Sequence, residues 1–295
     1  MALALLGGLT PRAFLARHWQ KRPLFVCSAL PGFKDPLTPD ELLRLACEEE
    51  VESRLVLVRG GRGPYQRIDG PQDRRLLRRL PRSHWSLLVQ SVDRLSPAVA
   101  ALLDHFAFIP RWRIDDVMIS FAVRGGSVGP HVDNYDVFLI QGRGQRRWQL
   151  QQRPERTLRS GLDLQVLRHF DPDDAWTLAA GDMLYVPPGV AHYGVALEDC
   201  LTYSVGFRAP SHRALVALFA ERLIDSIPEH RLYADPDLRP AGAARGVERR
   251  ALDRMQEIVK GEVRRGLRLD LRSRIAELVS ADARAAGPKR TRRPR

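Results

Sequence analysis

A glycine-rich turn followed by a histidine and an aspartate two residues apart constrains this 295-residue chain more than any other feature. The segment from Gly125 to Gly142 reads GGSVGPHVDNYDVFLIQG. Residues two apart on a strand point to the same face, so His131 and Asp133 can converge on one point. Imidazole and carboxylate together suit a metal such as Fe(II), Zn(II) or Mn(II). By itself the pair is better explained as a solvated strand edge, because such pairs arise easily in a charged chain.

A second segment supplies another histidine and favours the metal interpretation. The segment from Ala180 to His192 reads AGDMLYVPPGVAH. It predicts a strand, a tight Pro-Pro-Gly turn, and a histidine at the start of the next strand. Two histidines and one aspartate form a 2-His-1-carboxylate triad, which leaves three metal positions open. The spacing fits a double-stranded β-helix in which the strands of His131 and His192 lie side by side.

Composition and cysteine usage indicate a globular protein of a reducing compartment. Hydrophobic residues make up 44% of the chain, which is enough for a sizeable core. No apolar run is long enough to span a membrane and no signal peptide is evident, so we expect a cytoplasmic protein. The three cysteines, Cys27, Cys47 and Cys200, lack CxxC spacing, which argues against a disulfide framework or a zinc knuckle.

The net charge of +12 leaves two interpretations open. Five basic residues lie between Lys289 and Arg295, and we expect a disordered basic tail over residues 287–295. For this tail, two interpretations are equally favoured: that it is attracted to ribosomal RNA, and that it is ordinary solvated surface. For the rest of the chain, solvated surface is the preferred interpretation.

The periodicity of apolar residues divides the chain into a β part and a helical part. Up to Phe207, many short strands separated by Gly/Pro turns indicate a barrel or sandwich. After Pro210, apolar residues recur at helical spacing in three stripes. The stripes begin at Leu215, Met255 and Leu271, and the third ends at Val279. They form either a helical cap on the barrel or a dimerisation module.

The run GPHVDNYDVFLIQGRGQRRW, residues 129–148, resembles the JmjC-type cupin oxygenases. More closely, it is similar to the bacterial ribosomal oxygenases, which hydroxylate an arginine of large-subunit ribosomal protein number sixteen. The other matching segments are Phe14–Val26, Asp115–Phe121, Gly181–His192 and Tyr203–Pro210. The resemblance covers the chain from about Phe14 to the helices near Val279.

The resemblance implies a mainly β fold with α-helices, a double-stranded β-helix followed by a helical dimerisation region. On this basis we expect an oxygenase domain over residues 1–208, helices over residues 209–286, and a homodimer. The family continues into a winged-helix-like domain. We expect none after the basic tail here, which leaves the contribution of that domain to substrate docking open.

The resemblance also implies the chemistry. His131, Asp133 and His192 would hold Fe(II), with a bidentate 2-oxo acid on two open positions and O₂ on the third. An arginine suits the distal carboxylate of 2-oxoglutarate. Arg146 and Arg147 both follow the hairpin turn. Neighbouring strand residues face opposite sides, so only one of the two can face the barrel interior, and the spacing from the turn does not determine which one. The resemblance implies Arg146, with a hydroxyl contact from Ser120.

A guanidinium substrate needs an acid and an aromatic ring near the metal. The resemblance implies Asp116 and Tyr135 for these roles, with Asp115 as the alternative acid. We therefore expect an Fe(II)- and 2-oxoglutarate-dependent hydroxylase that acts on the β carbon of a ribosomal-protein arginine. The alternatives are an oxygenase of this fold that acts on RNA or a small molecule, and a non-catalytic ribosome-binding module.

Overall fold

The computed structural model describes residues 1–61, 63–238, 246–273 and 275–277. Its described part divides into two compact units, one from Met1 to Ala209 and one that begins at Pro210. The expected tail at 287–295 and the end of the third helical stripe, Leu278 and Val279, lie outside the described residues. Across the described ranges, we find no helix with the length and apolar character needed to span a bilayer.

Twelve strands build the first unit. They are β1 (Leu24–Val26), β2 (Ser53–Val58), β3 (Tyr65–Asp69), β4 (Trp85–Val89), β5 (Ile114–Ala122), β6 (His131–Val132), β7 (Asp136–Gln141), β8 (Arg146–Gln151), β9 (Asp174–Leu178), β10 (Met183–Val186), β11 (Ala191–Ala196) and β12 (Cys200–Phe207). Short helices precede or connect them: α1 (Pro11–Arg17), α2 (Pro39–Leu45), α3 (Arg74–Arg78) and α4 (Pro97–Ala100).

The strands form two antiparallel sheets that face each other. The larger sheet has the order β1-β10-β7-β12-β5-β4-β2-β3, and the smaller has the order β6-β11-β8-β9. Val137 and Leu184 of the larger sheet share one buried apolar cluster with Trp148 and Leu178 of the smaller. Central strands β7 and β12 are buried along their whole length, which explains the continuous apolar run Val137–Ile140 in β7.

Thr10-Pro11 and Thr38-Pro39 each predict the start of a helix, and Glu41 predicts a capping box at the second; α1 and α2 begin at these positions. Thr10 caps α1, with Pro11 at its first position. At α2 the predicted capping box is present, because Thr38 accepts from the backbone of Glu41 and the Glu41 carboxylate accepts from the backbone of Thr38. Both caps satisfy backbone groups that would otherwise lack partners.

The sequence also predicts a strand over Trp85 to Val92 and a helix from Ser96 to near His105, and only the strand is wrong in extent. The strand expected over Trp85 to Val92 ends at Val89, because Ser91 adopts a left-handed backbone conformation with φ 53°. The turn brings the Ser91 N–H to the carboxylate of Asp116, which accepts it at 2.8 Å. The helix predicted from Ser96 is confirmed in extent, because Ser96 caps α4 and a 3-10 helix over Ala101–Phe106 continues it.

Two longer helices lie in the described part of the second unit. They are α5 (His212–Asp225), which Ser211 caps, and α6 (Arg249–Gly266). The two helices contact each other where Gly266 lies against Phe219 and Leu223. The Pro/Gly-rich segment from Tyr233 to Gly246 predicts a linker. Residues 233–238 contain no helix or strand, and residues 239–245 lie outside the described residues.

Candidate active site

The structure brings His131, Asp133 and His192 together at the end of the smaller sheet. His131 and His192 are direct cross-strand partners on β6 and β11, and their ring centroids are 4.2 Å apart. The Asp133 Oδ2 atom lies 3.5 Å from Nε2 of His192 and 4.0 Å from Nε2 of His131. One ligand atom from each residue lies within 4.8 Å of the others. The sequence predicted this convergence from the spacing alone.

Backbone carbonyls orient the two imidazoles. Nδ1–H of His131 donates to the carbonyl of Gly129 at 2.9 Å, and Nδ1–H of His192 donates to the carbonyl of Val190 at 3.3 Å. A carbonyl only accepts, so these contacts assign the proton to Nδ1 and leave the Nε2 lone pair towards Asp133. Hydrogen bonds of this kind orient histidine ligands in metal sites.

The electrostatics of the three residues also fit a cation. Burial of His192, followed by the proximity of His131, lowers the pKa of His192 to about 4. The ring is therefore neutral at physiological pH, which keeps its lone pair available. The N–H of Gly189, in the Pro-Pro-Gly turn, donates to the carbonyl of Asp133 at 2.8 Å and holds this segment beside β11. Two imidazoles and one carboxylate fit a divalent transition metal such as Fe(II).

Arg146 lies inside the same cavity as the three residues and has no acidic partner among the described residues. Its side chain is 3% exposed, and burial lowers the pKa of Arg146. Nη1 donates to the Ser120 hydroxyl at 3.1 Å and Nη2 to the Gly194 carbonyl at 3.3 Å, whereas Nε has no partner. A buried guanidinium that lacks a counter-ion is costly, so this position fits an anionic ligand such as a carboxylate.

The register of β8 separates the two candidate arginines. Arg146 is buried and Arg147 is exposed, because neighbouring strand residues face opposite sides. The guanidinium carbon of Arg146 lies 4.8 Å from the ring centroid of Trp148, two residues further along the same face. The structure thus places Arg146 in the cavity and Arg147 on the surface.

The cavity has a volume of about 750 Å³ and extends from the three candidate metal ligands to the surface. Its lining includes the buried residues Ser120, Arg146 and Trp148 and the less buried residues Asp116, Met118 and Tyr135. Asp116, Met118 and Ser120 alternate along β5, so all three face inward. The residues predicted for metal, co-substrate and substrate therefore share one cavity.

Asp116 is better placed than Asp115 to meet a buried group. Burial raises the pKa of Asp116 to about 6. The Asp115 side chain is 51% exposed, and its Oδ1 lies 3.6 Å from Nη1 of Arg208. Tyr135 is 43% exposed at the rim, and burial followed by the charge of Asp133 raises the pKa of Tyr135.

The sequence analysis missed Met118 and Trp148, although a signal for both was present. Each lies two residues from a predicted site residue on a strand, and residues so spaced share a face. It also missed carboxylates at the mouth of the cavity, which come from two loops: Glu48, Glu50 and Glu52 from the loop before β2, and Asp163 from the loop between β8 and β9. No local pattern links these loops, so only the fold brings them together.

Comparisons with known proteins agree with this fold. A model of the JmjC domain matches residues 101–215. The ribosomal protein uL16 3-hydroxylase of Escherichia coli K12 is 42% identical over 262 residues, which are 83% of this chain and 65% of that protein. A probable ribosomal oxygenase of Haemophilus influenzae is 38% identical over 238 residues, which are 78% of this chain and 55% of that protein.

Solved structures of the E. coli protein YcfD are also similar. One matches with a TM-score of 0.73 and 41% identity, over 87% of this chain and 68% of that chain. Another, described as YcfD in complex with cobalt and 2-oxoglutarate, matches with a TM-score of 0.70 and 42% identity, over 86% of this chain and 66% of that chain.

A JmjC domain with two facing antiparallel sheets and a His-Asp-His cluster defines the class of this chain. The chain belongs to the JmjC-domain family, in the group of ribosomal oxygenases represented by YcfD of E. coli. The predicted resemblance and the mainly β, JmjC/cupin-like fold are thereby confirmed. The chain spans 65% and 55% of the lengths of the two curated relatives, and the dimerising role of its helices stays a prediction.

Proposed function

We propose that this protein is an Fe(II)- and 2-oxoglutarate-dependent hydroxylase of a large-subunit ribosomal protein, and that its target is the C3 position of an arginine. The observation that carries the proposal is the buried Arg146, which has no acidic partner among the described residues and shares a cavity with His131, Asp133 and His192. The uL16 3-hydroxylase of E. coli, at 42% identity, supports the choice of target. The overall reaction would convert 2-oxoglutarate and O₂ to succinate and CO₂ as the substrate gains a hydroxyl group.

His131, Asp133 and His192 would hold the metal through two Nε2 atoms and one carboxylate oxygen. With Fe(II) and 2-oxoglutarate bound there, the site would supply oxygen activation for the hydroxylation of a C–H bond. The protein contributes position: the Gly129 and Val190 carbonyls keep both rings turned towards Asp133. The family resemblance to a structure described with cobalt and 2-oxoglutarate supports this assignment.

Arg146 and Ser120 would bind the distal carboxylate of 2-oxoglutarate. The planar guanidinium offers parallel N–H donors that match a carboxylate, and its position on Trp148 restricts its movement. Ser120 already accepts from Nη1 at 3.1 Å, so its hydroxyl hydrogen remains free to donate to the ligand. Because the site is nearly inaccessible to solvent, these contacts act without competition from water.

Asp116 and Tyr135 would receive the substrate arginine. A guanidinium can pair with the carboxylate of Asp116 and lie against the ring of Tyr135. The cavity mouth supports a basic substrate, because Glu48, Glu50, Glu52 and Asp163 have no ion-pair partner among the described residues. Three arginines also line this region, and one of them, Arg67, pairs with Asp69 at 2.6 Å.

The test is hydroxylation of a short ribosomal-protein peptide, followed by mass spectrometry. We expect a gain of one oxygen on peptides with arginine at the target position. With lysine at that position, transition-state stabilisation should fall by about 1.5–3 kcal/mol, so the rate should fall by about one to two decades. Lysine satisfies the acid but loses the second parallel hydrogen bond and the stacking. Equal modification of both peptides, or selection of histidine, would overturn the arginine pocket but not the oxygenase assignment. Iron-free protein without 2-oxoglutarate turnover would favour a non-catalytic ribosome-binding module.

Substrate binding should depend on pH through Asp116. Since burial raises the pKa of Asp116 to about 6, its carboxyl group is largely neutral at pH 5 and ionised at pH 7. A guanidinium binds the ionised form, so the KM of the peptide should fall roughly tenfold between pH 5 and pH 7. Steady-state kinetics at saturating 2-oxoglutarate would measure this. In the Asp116→Asn variant the KM should be high and independent of pH, and an unchanged pH profile would contradict the assignment.

We also propose that the helices of the second unit form a homodimer. On α6 the side chains of Leu252, Met255, Val259 and Val263 recur at helical spacing and are 37–62% exposed. Exposed apolar stripes of this kind usually mark an interface.

Light scattering at micromolar concentration should therefore give the mass of two chains. Val259→Glu should shift the protein towards the monomer, because it places a charge on the apolar stripe. Gln256→Glu, the same change of charge at a polar position of α6, should leave the dimer intact. A monomeric parent protein would instead favour the helical-cap interpretation.

A ribosomal target places the proposed activity in the cytoplasm. The basic tail would add contacts with ribosomal RNA, because arginine and lysine attract the phosphate backbone in a salt-dependent way.

A further inference from the structure

We propose that Gly194 is a positioning residue for 2-oxoglutarate, because its missing side chain leaves the space that the side chains of Arg146 and Trp148 fill. The inference rests on the proposed function, in which Arg146 binds the co-substrate. Gly194 lies on β11, directly across from Trp148 on β8 and two residues after His192. It therefore stands between the candidate metal ligand and the candidate carboxylate-binding arginine.

The distances at Gly194 leave no room for a methyl group. A Cβ atom there would lie 2.7 Å from Nε of Arg146 and 2.7 Å from both Cη2 and Cζ3 of Trp148. Cβ atoms essentially never approach other heavy atoms this closely, so at least one side chain would have to move. The backbone of Gly194 is not in the left-handed region, so the requirement for glycine is one of space.

Gly194 also holds Arg146 through its backbone. Its carbonyl accepts from Nη2 at 3.3 Å, while Ser120 accepts from Nη1 at 3.1 Å on the opposite sheet. The guanidinium is thus fixed between β11, β5 and the Trp148 ring. A Cβ on the β11 side would push it away from its carbonyl acceptor and out of alignment with a bound carboxylate.

Neither neighbouring side chain can yield freely. Arg146 is 3% exposed and Trp148 is 5% exposed, so both are surrounded by packed atoms. The Trp148 ring centroid lies 5.9 Å from that of His192, so the ring cannot move far in that direction. Added volume in such a packed site distorts side-chain positions instead of being absorbed.

Gly194→Ala and Gly206→Ala form a matched pair for testing the inference. Gly206 also lies within a strand, but its added Cβ would come no closer than 3.6 Å to the Asp116 carboxylate, which is an ordinary contact. Calorimetry with Mn(II)-loaded protein would measure 2-oxoglutarate binding without turnover. A separate titration of metal-free protein would measure Mn(II) binding.

We expect Gly194→Ala to weaken 2-oxoglutarate binding roughly 10- to 100-fold, which corresponds to about 1.4–2.7 kcal/mol, with Mn(II) affinity little changed. The KM for 2-oxoglutarate should rise while kcat at saturation stays close to that of the parent protein. Gly206→Ala should keep the parent affinity for 2-oxoglutarate. Trp148→Phe removes the ring atoms nearest Gly194, so the double variant Gly194→Ala, Trp148→Phe should bind 2-oxoglutarate more tightly than Gly194→Ala alone.

Equal 2-oxoglutarate affinity in Gly194→Ala and the parent protein would overturn the inference and leave the proposed function standing. Parallel loss of Mn(II) and 2-oxoglutarate binding would also overturn it, because that result indicates general collapse of the site. If Gly194→Ala does not fold, the double variant decides: the added Cβ would still lie 2.7 Å from Nε of Arg146, so the double variant should bind 2-oxoglutarate more weakly than Trp148→Phe alone, and equal affinity would overturn the inference. A parent protein that binds no 2-oxoglutarate would overturn the proposed function and this inference together.

Discussion

Replacing Asp133 with alanine is expected to abolish 2-oxoglutarate turnover and to weaken Fe(II) binding severely, with little change in the unfolding midpoint. Asp133 supplies the only carboxylate of the three candidate ligands, and its Oδ2 lies 3.5 Å from Nε2 of His192. Changes outside the ligand shell of metal sites already cost about 10–100-fold, so loss of a charged ligand should cost more. The fold should persist, because Asp133 is partly exposed at the cavity and lies outside the packed apolar clusters.

Asn134→Ala is the matched control for this change. Asn134 is adjacent in sequence and exposed, so the variant should keep both metal binding and turnover. Anaerobic calorimetry with Fe(II), succinate release and thermal unfolding of the metal-free protein would provide the three readouts. Full 2-oxoglutarate turnover by Asp133→Ala would contradict the metal assignment. The same test with His131→Ala would be an independent check.

Replacing Arg146 with methionine should have opposite effects on ligand binding and on stability. Two hydrogen bonds from the guanidinium to a carboxylate are worth about 1.5–3 kcal/mol each, so 2-oxoglutarate binding should weaken by roughly 100-fold or more. The ligand-free protein should become more stable by about 1 kcal/mol or more, because an apolar side chain of similar length replaces a buried charge without a counter-ion. Fe(II) affinity in the absence of 2-oxoglutarate should change little.

Arg147→Met is the control, since Arg147 is exposed on the opposite face of β8. It should leave both 2-oxoglutarate affinity and the free energy of unfolding nearly unchanged. Calorimetry and urea unfolding of the two variants would measure both quantities. If the two variants behaved in reverse, the register of β8 would be off by one residue, because such a slip exchanges the faces of the whole strand.

Sequence periodicity and turn signals were sufficient to predict the cluster of His131, Asp133 and His192. His131 and Asp133 are two residues apart after a glycine turn, and His192 follows a Pro-Pro-Gly turn, so local chain geometry limits where each side chain can point. The capping box at Thr38 was equally predictable, because all its contacts lie within one turn of helix. The end of the strand that begins at Trp85 could not be predicted in this way. The turn after that strand is accompanied by a hydrogen bond from Ser91 to Asp116, which is 25 residues away in the chain.

The choice between Arg146 and Arg147 required more than periodicity. Alternation along β8 dictates that one of them faces the cavity, but only strand pairing determines which one. The family resemblance implied Arg146, and the structure buries it opposite Ser120 of the other sheet. The same pairing, which sets Trp148 against Gly194, explains why sequence reasoning assigned no role to this glycine.

What the sequence by itself determined were the properties carried by neighbours in the chain: the identity of the three metal-ligand candidates, the caps, and the change from short strands to helices after Pro210. Only the tertiary structure decided which residues surround the guanidinium of Arg146, how deeply Asp116 is buried, and which carboxylates line the cavity mouth. The physical reason is the distance along the chain between the residues that interact. Backbone geometry repeats over two to four residues and can be read locally, whereas burial and close packing depend on strands and loops that meet only when the two sheets come together.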